Sequence, residues 1–306
     1  MRQTCDIKFP VAWVAALVIV GMQLVPIFPA HAGSRRTGLY ETGFDQTTPL
    51  ADIGEVLRRT LPAPVYAGYV AKRDLPSGQV ITPANETWQV YVPGDYDGTK
   101  PCGVLVWVEP MDTLRFPSGW QGVLNAHHMI YVSAAESGND RDVYSRRIPL
   151  ALTGLANIEA RYKTDPVRIY LGGFSGGGVT ASLMAAAYAD VFSGGIFVAT
   201  SAGIGSQQVP MPSPDRYRLM QSRGRYVFLV GNEDPVNEVM TDRAASSYEQ
   251  LCILRVKTVE MFDKGHTNAG PSYLNYALNY LDSPRDITSA QQTSCKNSMK
   301  TIHRGD

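Results

Sequence analysis

Residues 171–178 read Leu-Gly-Gly-Phe-Ser-Gly-Gly-Gly, and they are the strongest fold signal in the chain. Residues 173–177 within this stretch match the pattern G-x-S-x-G. The apolar run 167–171 predicts a strand before it, and the Ala-rich segment 179–188 predicts a helix after it. A serine between such a strand and helix stands on a strained turn that lifts its hydroxyl off the sheet edge, where only small neighbours fit. We therefore expect Ser175 to be an exposed nucleophile.

The helix that follows Ser175 offers hydrogen-bond donors to a substrate. Its first N–H groups have no partner within the helix and lie at the positive end of the helix dipole. The N–H of Gly176, directly after the nucleophile, is the expected donor to a developing oxyanion. Residues 176–181 also fit the dinucleotide-binding pattern G-x-G-x-x-A, but that pattern needs an acidic residue at the end of the next strand. The next strand runs into Thr200 instead, so we reject this alternative; a purely structural glycine turn is the other one.

Apolar runs alternate with helical periodicities along most of the chain. Strands are predicted at 65–72, 86–92, 103–108, 129–134, 167–171, 196–199, 226–230 and 256–262, and helices at 145–162, 179–188, 239–251 and 271–281. This alternation, with strands that are apolar throughout, predicts an α/β fold whose mostly parallel sheet carries helices on both faces. The first two strands have no helix between them and suggest an antiparallel entry. Because the carboxyl ends of parallel strands share one edge, the loops there should build the site.

A serine nucleophile requires a base, and the base requires an orienting carboxylate. His266 follows the last predicted strand and falls on the predicted edge. His127 and His128 instead enter a strand, and His303 lies in a polar tail. We therefore predict that His266 is the base.

The acid is expected to follow a strand between the nucleophile and the base. The strand at 226–230 leads into a polar loop in which Asp234 is the first choice. Asp-Pro is also a common turn dipeptide. The rivals are Glu233, Asp242 and Asp263.

The region 87–280 resembles the α/β-hydrolase superfamily. Within that superfamily it is most similar to the secreted esterases grouped with poly(3-hydroxybutyrate) depolymerases and feruloyl esterases. The resemblance rests on residues 173–177, on Gly-Asn-Glu-Asp-Pro-Val at 231–236, and on Gly-His at 265–266. The order serine, aspartate, histidine along the chain is also that of α/β-hydrolases.

The resemblance implies an exported serine hydrolase that cleaves carboxylic esters through an acyl-enzyme. Ser175 would be the nucleophile, His266 the general base and Asp234 its orienting acid. No metal or organic cofactor is implied, and the expected partner is an ester substrate, small or polymer-borne. A serine peptidase of the same fold and a catalytically inactive binding protein of that fold are the alternatives.

The loop after the third predicted strand departs from the family pattern. Such esterases carry His-Gly there, and a backbone N–H completes the oxyanion hole. This chain has Glu109 and Pro110 at that place. Because proline has no N–H, the second donor shifts to Met111, with Asp112 as the alternative.

Two loops give information about the kind of substrate. Between the strand at 196–199 and the strand at 226–230, residues 200–224 number only 25, so we expect no substantial lid domain. An open site of this kind suits bulky or polymer-borne esters, although a short loop is equally consistent with any substrate. The polar loop 136–142 would contact substrate or hold a cation, but we favour a turn-and-cap role because Asn and Asp are common there.

The composition is that of a globular protein without a strong electrostatic partner. Lys and Arg number 28 and Asp and Glu number 28, so the formal net charge is zero and nucleic acid is not an expected partner. Hydrophobic residues make up 44% and charged residues 18% of the chain, which excludes global disorder.

The N-terminus predicts export. Basic residues precede an apolar run at 11–20, and Ala30-His31-Ala32 closes the segment, which is the pattern of a signal peptide over residues 1–32. An uncleaved anchor is the alternative. We expect a secreted or periplasmic protein that starts near Gly33 and has no integral membrane association after cleavage.

The remaining chain divides into a weakly structured lead-in at 33–60, a catalytic domain at 61–285 and a polar tail at 286–306. Export exposes Cys102, Cys252 and Cys295 to an oxidising compartment, where at most one intramolecular disulfide forms. Cys252 and Cys295 are the expected pair, because their bond would hold the tail.

Overall fold

The computed structural model describes residues 36–283 and 288–302. The predicted signal peptide and the predicted mature start near Gly33 lie outside the described residues, and so does His303. Within the described part of the chain, no helix is both long enough and apolar enough to cross a membrane.

A single sheet of eight strands organises the described residues. The strands are β1 (Gly38–Thr42), β2 (Trp88–Val92), β3 (Cys102–Val108), β4 (Met129–Ala134), β5 (Thr164–Phe174), β6 (Gly194–Val198), β7 (Arg225–Gly231) and β8 (Val256–Met261). Their order across the sheet is β1-β2-β4-β3-β5-β6-β7-β8. β1 and β2 pair antiparallel, β2 pairs antiparallel with β4, and β3 to β8 run parallel. The mostly parallel α/β sheet predicted from the apolar runs is therefore confirmed.

Helices cover both faces of this sheet. They are α1 (Ile53–Thr60), α2 (Ala63–Lys72), α3 (Trp120–Ala126), α4 (Ile148–Arg161), α5 (Gly176–Ala187), α6 (Pro214–Arg223), α7 (Pro235–Gln250), α8 (Pro271–Asp282) and α9 (Ser289–Ile302), with a π-helical turn at Val143–Arg147 before α4 and short 3₁₀ turns at Pro49–Ala51 and Pro83–Asn85. α3 and α8 pack on one face around Trp107, Trp120 and Leu278. α1, α4, α5 and α7 pack on the other face, where Leu155 and Tyr248 belong to a second apolar core. Burial on both faces explains why the central strands read as continuous apolar runs.

The chain reverses its direction of travel across the sheet between β3 and β5. From β3 the chain passes to β4 on one side, then returns to β5 on the other side and continues outward to β8. In parallel sheets a crevice forms outside the carboxyl ends of the two strands at such a switch point. Glu109 follows β3 and Ser175 follows β5, so the fold brings these two loops together.

Two predictions for the N-terminal part of the domain are wrong. Residues 65–72 were predicted as a strand but lie in α2, because Pro64 occupies the first turn and alanines favour the helix through its length. The part of the predicted lead-in that is described holds β1 and α1. β1 pairs with β2 at the sheet edge, and Val56 of α1 is fully buried. The sheet does begin with an antiparallel pair of strands, but the pair is β1 and β2 and not the predicted strands at 65–72 and 86–92.

Two further corrections concern polar helices. The segment 200–224, predicted without a helix, contains α6, which packs against α5. The tail predicted at 286–306 contains α9, whose Cys295 forms a disulfide with Cys252 at the end of α7. This is the expected pair, and Cys102 is a buried free thiol. The disulfide explains how a polar helix is fixed to the domain.

Candidate active site

Ser175 stands at a sharp turn between β5 and α5. Its backbone has φ 53° and ψ −128°, a region that costs a non-glycine residue free energy. The turn is closed by a hydrogen bond of 2.9 Å from the Ser175 N–H to the Val198 carbonyl. A side chain at Gly173 would overlap the backbone of Gly177, and one at Gly177 would overlap the Val108 carbonyl. The glycines that suggested the turn are therefore required by close backbone approach.

The predicted base lies between the predicted nucleophile and the predicted acid. His266 Nε2 is 2.8 Å from Ser175 Oγ, and His266 Nδ1 is 2.7 Å from Asp234 Oδ2. His266 lies in the loop after β8 and keeps 42% of its side chain exposed. Phe174 packs beside the imidazole with a ring-centroid distance of 5.2 Å. The structure thus brings all three residues into one hydrogen-bonded row.

Asp234 is held as a carboxylate by its surroundings. It lies at the start of α7 and is only 8% exposed. Burial acts to raise the pKa of Asp234, but hydrogen bonds from Asn237 and His266 outweigh it and hold that pKa below its usual value. Asn237 Nδ2 lies 2.8 Å and 2.9 Å from the two carboxylate oxygens. The rival Glu233 is exposed and makes no side-chain hydrogen bond within the described residues.

The loop after β3 lies on the other side of Ser175. No described residue accepts a hydrogen bond from the N–H of Gly176 or of Met111, so both donors stay available. The Asp112 carboxylate accepts hydrogen bonds from the Gly138 N–H at 2.9 Å and from Arg141. These bonds, led by those from Arg141, lower the pKa of Asp112. The roles of Gly176 and Met111 as oxyanion donors remain predictions.

A buried arginine joins the loops on this side. Arg147, 4% exposed at the start of α4, donates to the Ser137 carbonyl at 2.7 Å and to the Glu109 carbonyl at 3.1 Å. It also donates to the Gly176 carbonyl at 3.3 Å. Burial lowers the pKa of Arg147 to about 10, so the side chain stays charged at neutral pH. One guanidinium therefore fixes the peptides after β3, after β4 and after Ser175.

Comparisons with known proteins give a fold but no close relative. No protein-family model matches the sequence, and no curated protein matches it. Among solved structures, the apoenzyme of S-formylglutathione hydrolase (FrmB) from Staphylococcus aureus superposes with a TM-score of 0.52 at 10% identity, over 80% of this chain and 99% of that one. A structure titled ferulic acid esterase gives a TM-score of 0.49 at 12% identity, over 79% and 95% of the two chains.

The chain has the α/β-hydrolase fold. The likeness covers nearly the whole FrmB structure. At these identities the likeness concerns the fold alone. The fold predicted from the sequence is confirmed, and the function of the protein has to be argued from its site.

The polar loop 136–142 supports the site. The Asp142 side chain accepts hydrogen bonds from the Tyr144 and Ser145 N–H groups and so caps the helical turn before α4. The Asn139 N–H donates to the Pro110 carbonyl at 2.9 Å. The Asn139 side chain lies where a side chain at Gly176 would point. Among the described residues no group of three His, Cys, Asp or Glu side chains is placed to hold a metal ion.

A cavity of about 410 Å³ opens beside His266. The loop after β3 forms one wall, with Glu109, Met111 and Arg115, and the loop 266–269 forms the other wall. Phe174 also lines it, next to Ser175 in sequence. The cavity therefore reaches His266, the middle residue of the hydrogen-bonded row.

Sequence reasoning missed Arg147 and Asn237. Asn237 lies three residues after Asp234, where a helix turn returns it to the same side, so that spacing was a usable signal. Arg147 had no such signal, because its three acceptors are carbonyls that lie 10, 29 and 38 residues away in sequence.

Proposed function

We propose that the protein is a serine hydrolase that cleaves carboxylic esters through an acyl-enzyme, with Ser175, His266 and Asp234 as its catalytic residues. One observation carries the proposal. The Ser175 hydroxyl, at a strained turn, lies 2.8 Å from an imidazole whose other nitrogen lies 2.7 Å from a buried carboxylate. If these three residues had only a structural role, no such hydrogen-bonded row would be needed at the carboxyl end of a parallel sheet.

In the proposed first step, Ser175 Oγ forms a bond to the ester carbonyl carbon while His266 Nε2 takes the hydroxyl proton. Asp234 accepts the hydrogen bond from Nδ1–H, holds the ring in this tautomer and stabilises the imidazolium. The carbon–oxygen bond to the alcohol then breaks, and His266 returns the proton to the leaving alkoxide. Water repeats the sequence on the acyl-enzyme, which releases the carboxylic acid and the free serine.

The negative charge that develops on the carbonyl oxygen needs donors that are already in place. The Gly176 N–H at the start of α5 supplies one, with the positive end of the helix dipole behind it. The Met111 N–H is the proposed second donor, since Pro110 has none. In this proposal Arg147 is a positioning residue, because it binds the carbonyls of the peptides that flank both donors.

Labelling with a fluorophosphonate probe, followed by peptide mapping, tests the proposal. We expect one phosphonylated residue, Ser175, and loss of labelling in Ser175→Ala. Hydrolysis of acyl esters of graded chain length, compared with the matching aminoacyl 4-nitroanilides, then separates an esterase from a peptidase. A folded protein that resists the probe and hydrolyses no ester would overturn the proposal.

We also propose that the enzyme is exported and acts on bulky or polymer-borne esters. Export is supported by the signal-peptide pattern of residues 1–32, and mass spectrometry of the product from a secreting host should find an N-terminus near Gly33. Recovery of intact Met1 in membranes would contradict export. Access for a large substrate is supported by the exposure of His266 and the open cavity. Equal rates on a soluble ester and its polymer-bound form would support this part, and no rate on the bound form would refute it.

A further inference from the structure

The cavity beside His266 contains one acidic group that the proposed mechanism does not use. Glu109 follows β3, lines the cavity and is 6% exposed. Its Oε1 is closed from solvent and accepts no hydrogen bond from the described residues. The other oxygen, Oε2, also accepts no hydrogen bond from the described residues, but it is not closed from solvent. Oε2 is therefore the oxygen that faces the cavity.

The protein around Glu109 leaves this carboxyl group short of donors: the Trp107 indole is near it, but the indole nitrogen lies outside hydrogen-bond geometry. Four more buried side chains on the same side of β2, β3 and β4 have a polar atom without a hydrogen-bond partner: Gln89, Trp107, Tyr131 and Ser133. Strand pairing sets Gln89 opposite Ser133, and Ser133 opposite Trp107, so these side chains are neighbours on one side of the sheet. A buried polar group normally has a partner, and one without a partner costs free energy. Of these five side chains Glu109 is the one that lines the cavity, where a ligand can supply the missing partner.

The charges at the cavity wall restrict which kind of ligand can bind there. Burial raises the pKa of Glu109 to about 7, and the Trp107 indole and the Arg115 charge oppose the rise without cancelling it. Arg115 is exposed at the same cavity and makes no ion pair within the described residues. Its positive charge disfavours a second cation nearby. A neutral hydrogen-bond donor suits a carboxyl group in either protonation state, since it can donate to a carboxylate or to the carbonyl oxygen of the acid.

We propose that Glu109 is a specificity-determining residue, and that the cavity binds a hydroxyl-bearing part of the ester substrate whose O–H donates to the Glu109 carboxyl. The proposal rests on the proposed function, since it assigns the substrate class of the same site. The preference arises because an ester without the hydroxyl leaves the buried carboxyl unpaired in the complex.

Two matched substrate sets test the preference on either side of the ester bond. The first contains 4-nitrophenyl esters of straight-chain ω-hydroxy acids of three to six carbons, each paired with the unsubstituted acid. The second contains monoacetates of straight-chain diols, each paired with the acetate of the simple alcohol. We expect the hydroxylated member to have a kcat/KM at least about 10-fold higher at some chain length in one of the sets.

Three variants assign that preference to the carboxyl group. Glu109→Leu should reduce the ratio within the preferred pair to about one, because it removes the acceptor. Glu109→Gln keeps an acceptor oxygen and should retain part of the ratio. Glu41→Gln removes an exposed carboxylate on β1 and should leave the ratio as in the wild type. The ratio cancels any loss that is common to both esters, and melting temperatures identify a variant that does not fold.

The outcomes separate this proposal from the proposed function. A protein that hydrolyses no ester of either set fails the proposed function. A protein that hydrolyses both sets with ratios near one overturns the hydroxyl preference alone, and this result needs no variant. A preference that survives Glu109→Leu overturns the role of Glu109. An ω-ammonium ester preferred over its ω-hydroxyl counterpart would show a cation site instead and would also overturn the proposal.

Discussion

The two sides of Ser175 are built on different principles. On the His266 side, side chains complete each other's hydrogen bonds, and even the buried Asp234 has both oxygens satisfied by Asn237. On the β3 side, the two N–H groups predicted as oxyanion donors have no partner among the described residues, Arg147 binds carbonyls next to them, and Glu109 Oε1 accepts no hydrogen bond. The His266 side is complete without a ligand, and the β3 side is not.

This difference suggests a division of labour. A row of satisfied hydrogen bonds fixes the tautomer and orientation of the base, which any ester requires. Unsatisfied donors and acceptors gain their partners only when substrate or an oxyanion arrives, so they decide which ester reacts and how well the transition state is bound. We therefore expect changes on the His266 side to remove turnover, and changes on the β3 side to alter rate and selectivity.

The largest effect is expected from Ser175→Ala. Loss of the nucleophile removes the covalent route, and turnover of an activated ester should fall by about 10⁶-fold. The melting temperature should stay within a degree or two of the wild type, on the order of what surface changes cause, because alanine has the same Cβ at this turn. Steady-state hydrolysis with a thermal melt checks both expectations.

The same experiment with His266→Ala and the double variant tests whether the row acts as one unit. Each single variant should be nearly as inactive as the double one, because base and nucleophile depend on each other. Losses that multiply in the double variant would show independent contributions. A folded Ser175→Ala protein with a few per cent of wild-type turnover would exclude the acyl-enzyme route.

Asp234→Asn should have the second-largest effect. An amide at this place favours the wrong imidazole tautomer and cannot stabilise the imidazolium, which should lower kcat by about 10⁴-fold. Glu233→Gln is the matched control, since it removes the adjacent carboxylate, which is exposed and makes no hydrogen bond or ion pair with His266. Its kcat should stay within a few-fold of wild type on the scale of surface substitutions. The reverse ranking would move the acid from Asp234 to Glu233.

The His266 side was predictable from the sequence for a physical reason. Its residues follow strands with strong apolar runs, and the turn at Ser175 imposes glycines that are visible as a motif. The β3 side lacks such signals. Arg147 acts on backbone carbonyls, which any residue carries, and burial of Glu109 depends on strands that pair across the sheet. Only the departure from His-Gly at Glu109 marked this loop as unusual.

The helices and strands also differ in how well the sequence predicts them. The strands buried on both faces were predicted within a few residues, because burial demands a continuous apolar run. β1 is an edge strand with alternate side chains exposed, so it lacks a continuous apolar run. α2 buries none of its side chains, and its valines and tyrosines resemble the composition of a strand. α9 is polar and depends on the disulfide at Cys295. A prediction from local sequence fails where a contact between distant residues determines the helix or strand.

Arg147→Lys should show the importance of the backbone donors on the β3 side. Lysine keeps the positive charge but cannot donate to three carbonyls in a fixed fork. The peptides that carry the Gly176 and Met111 N–H groups should then shift, and a displacement of about 1 Å is enough to lower kcat by about 10²-fold. KM should change much less, because the donors act mainly on the oxyanion. Stopped-flow and steady-state kinetics separate the two parameters.

Arg141→Lys provides the control for that experiment. Arg141 also binds near the loop after β3, but it is substantially exposed, and its acceptors are the Asp112 and Glu136 carboxylates and not backbone carbonyls. Its kcat should remain within a few-fold of wild type, as exposed ion pairs contribute little. Equal losses in both variants would mean that Arg147 only stabilises the fold. The melting temperatures of the two variants would then measure how much Arg147 stabilises the fold.

The smallest effect concerns stability and tests whether Glu109 is unpaired in the free protein. The pKa of this carboxyl rises from an ordinary 4.5 to about 7, chiefly by burial. The folded state therefore binds a proton more tightly than the unfolded state, and the wild type should lose stability as pH rises through this window. Glu109→Gln cannot ionise, so its stability relative to wild type should increase by about 2 kcal/mol between about pH 5 and about pH 7.

Other titrating groups do not disturb this comparison. The pKa of Asp234 is lowered and that of Asp282 is lowered to about 2, so both contribute stability that is lost only at pH values below the window. Groups that are common to both proteins cancel in the difference. Urea unfolding of the two proteins at both pH values gives the four free energies required. A difference that does not change with pH would mean that Glu109 has a partner in the free protein, and the contrast between the two sides of Ser175 would then lose its basis.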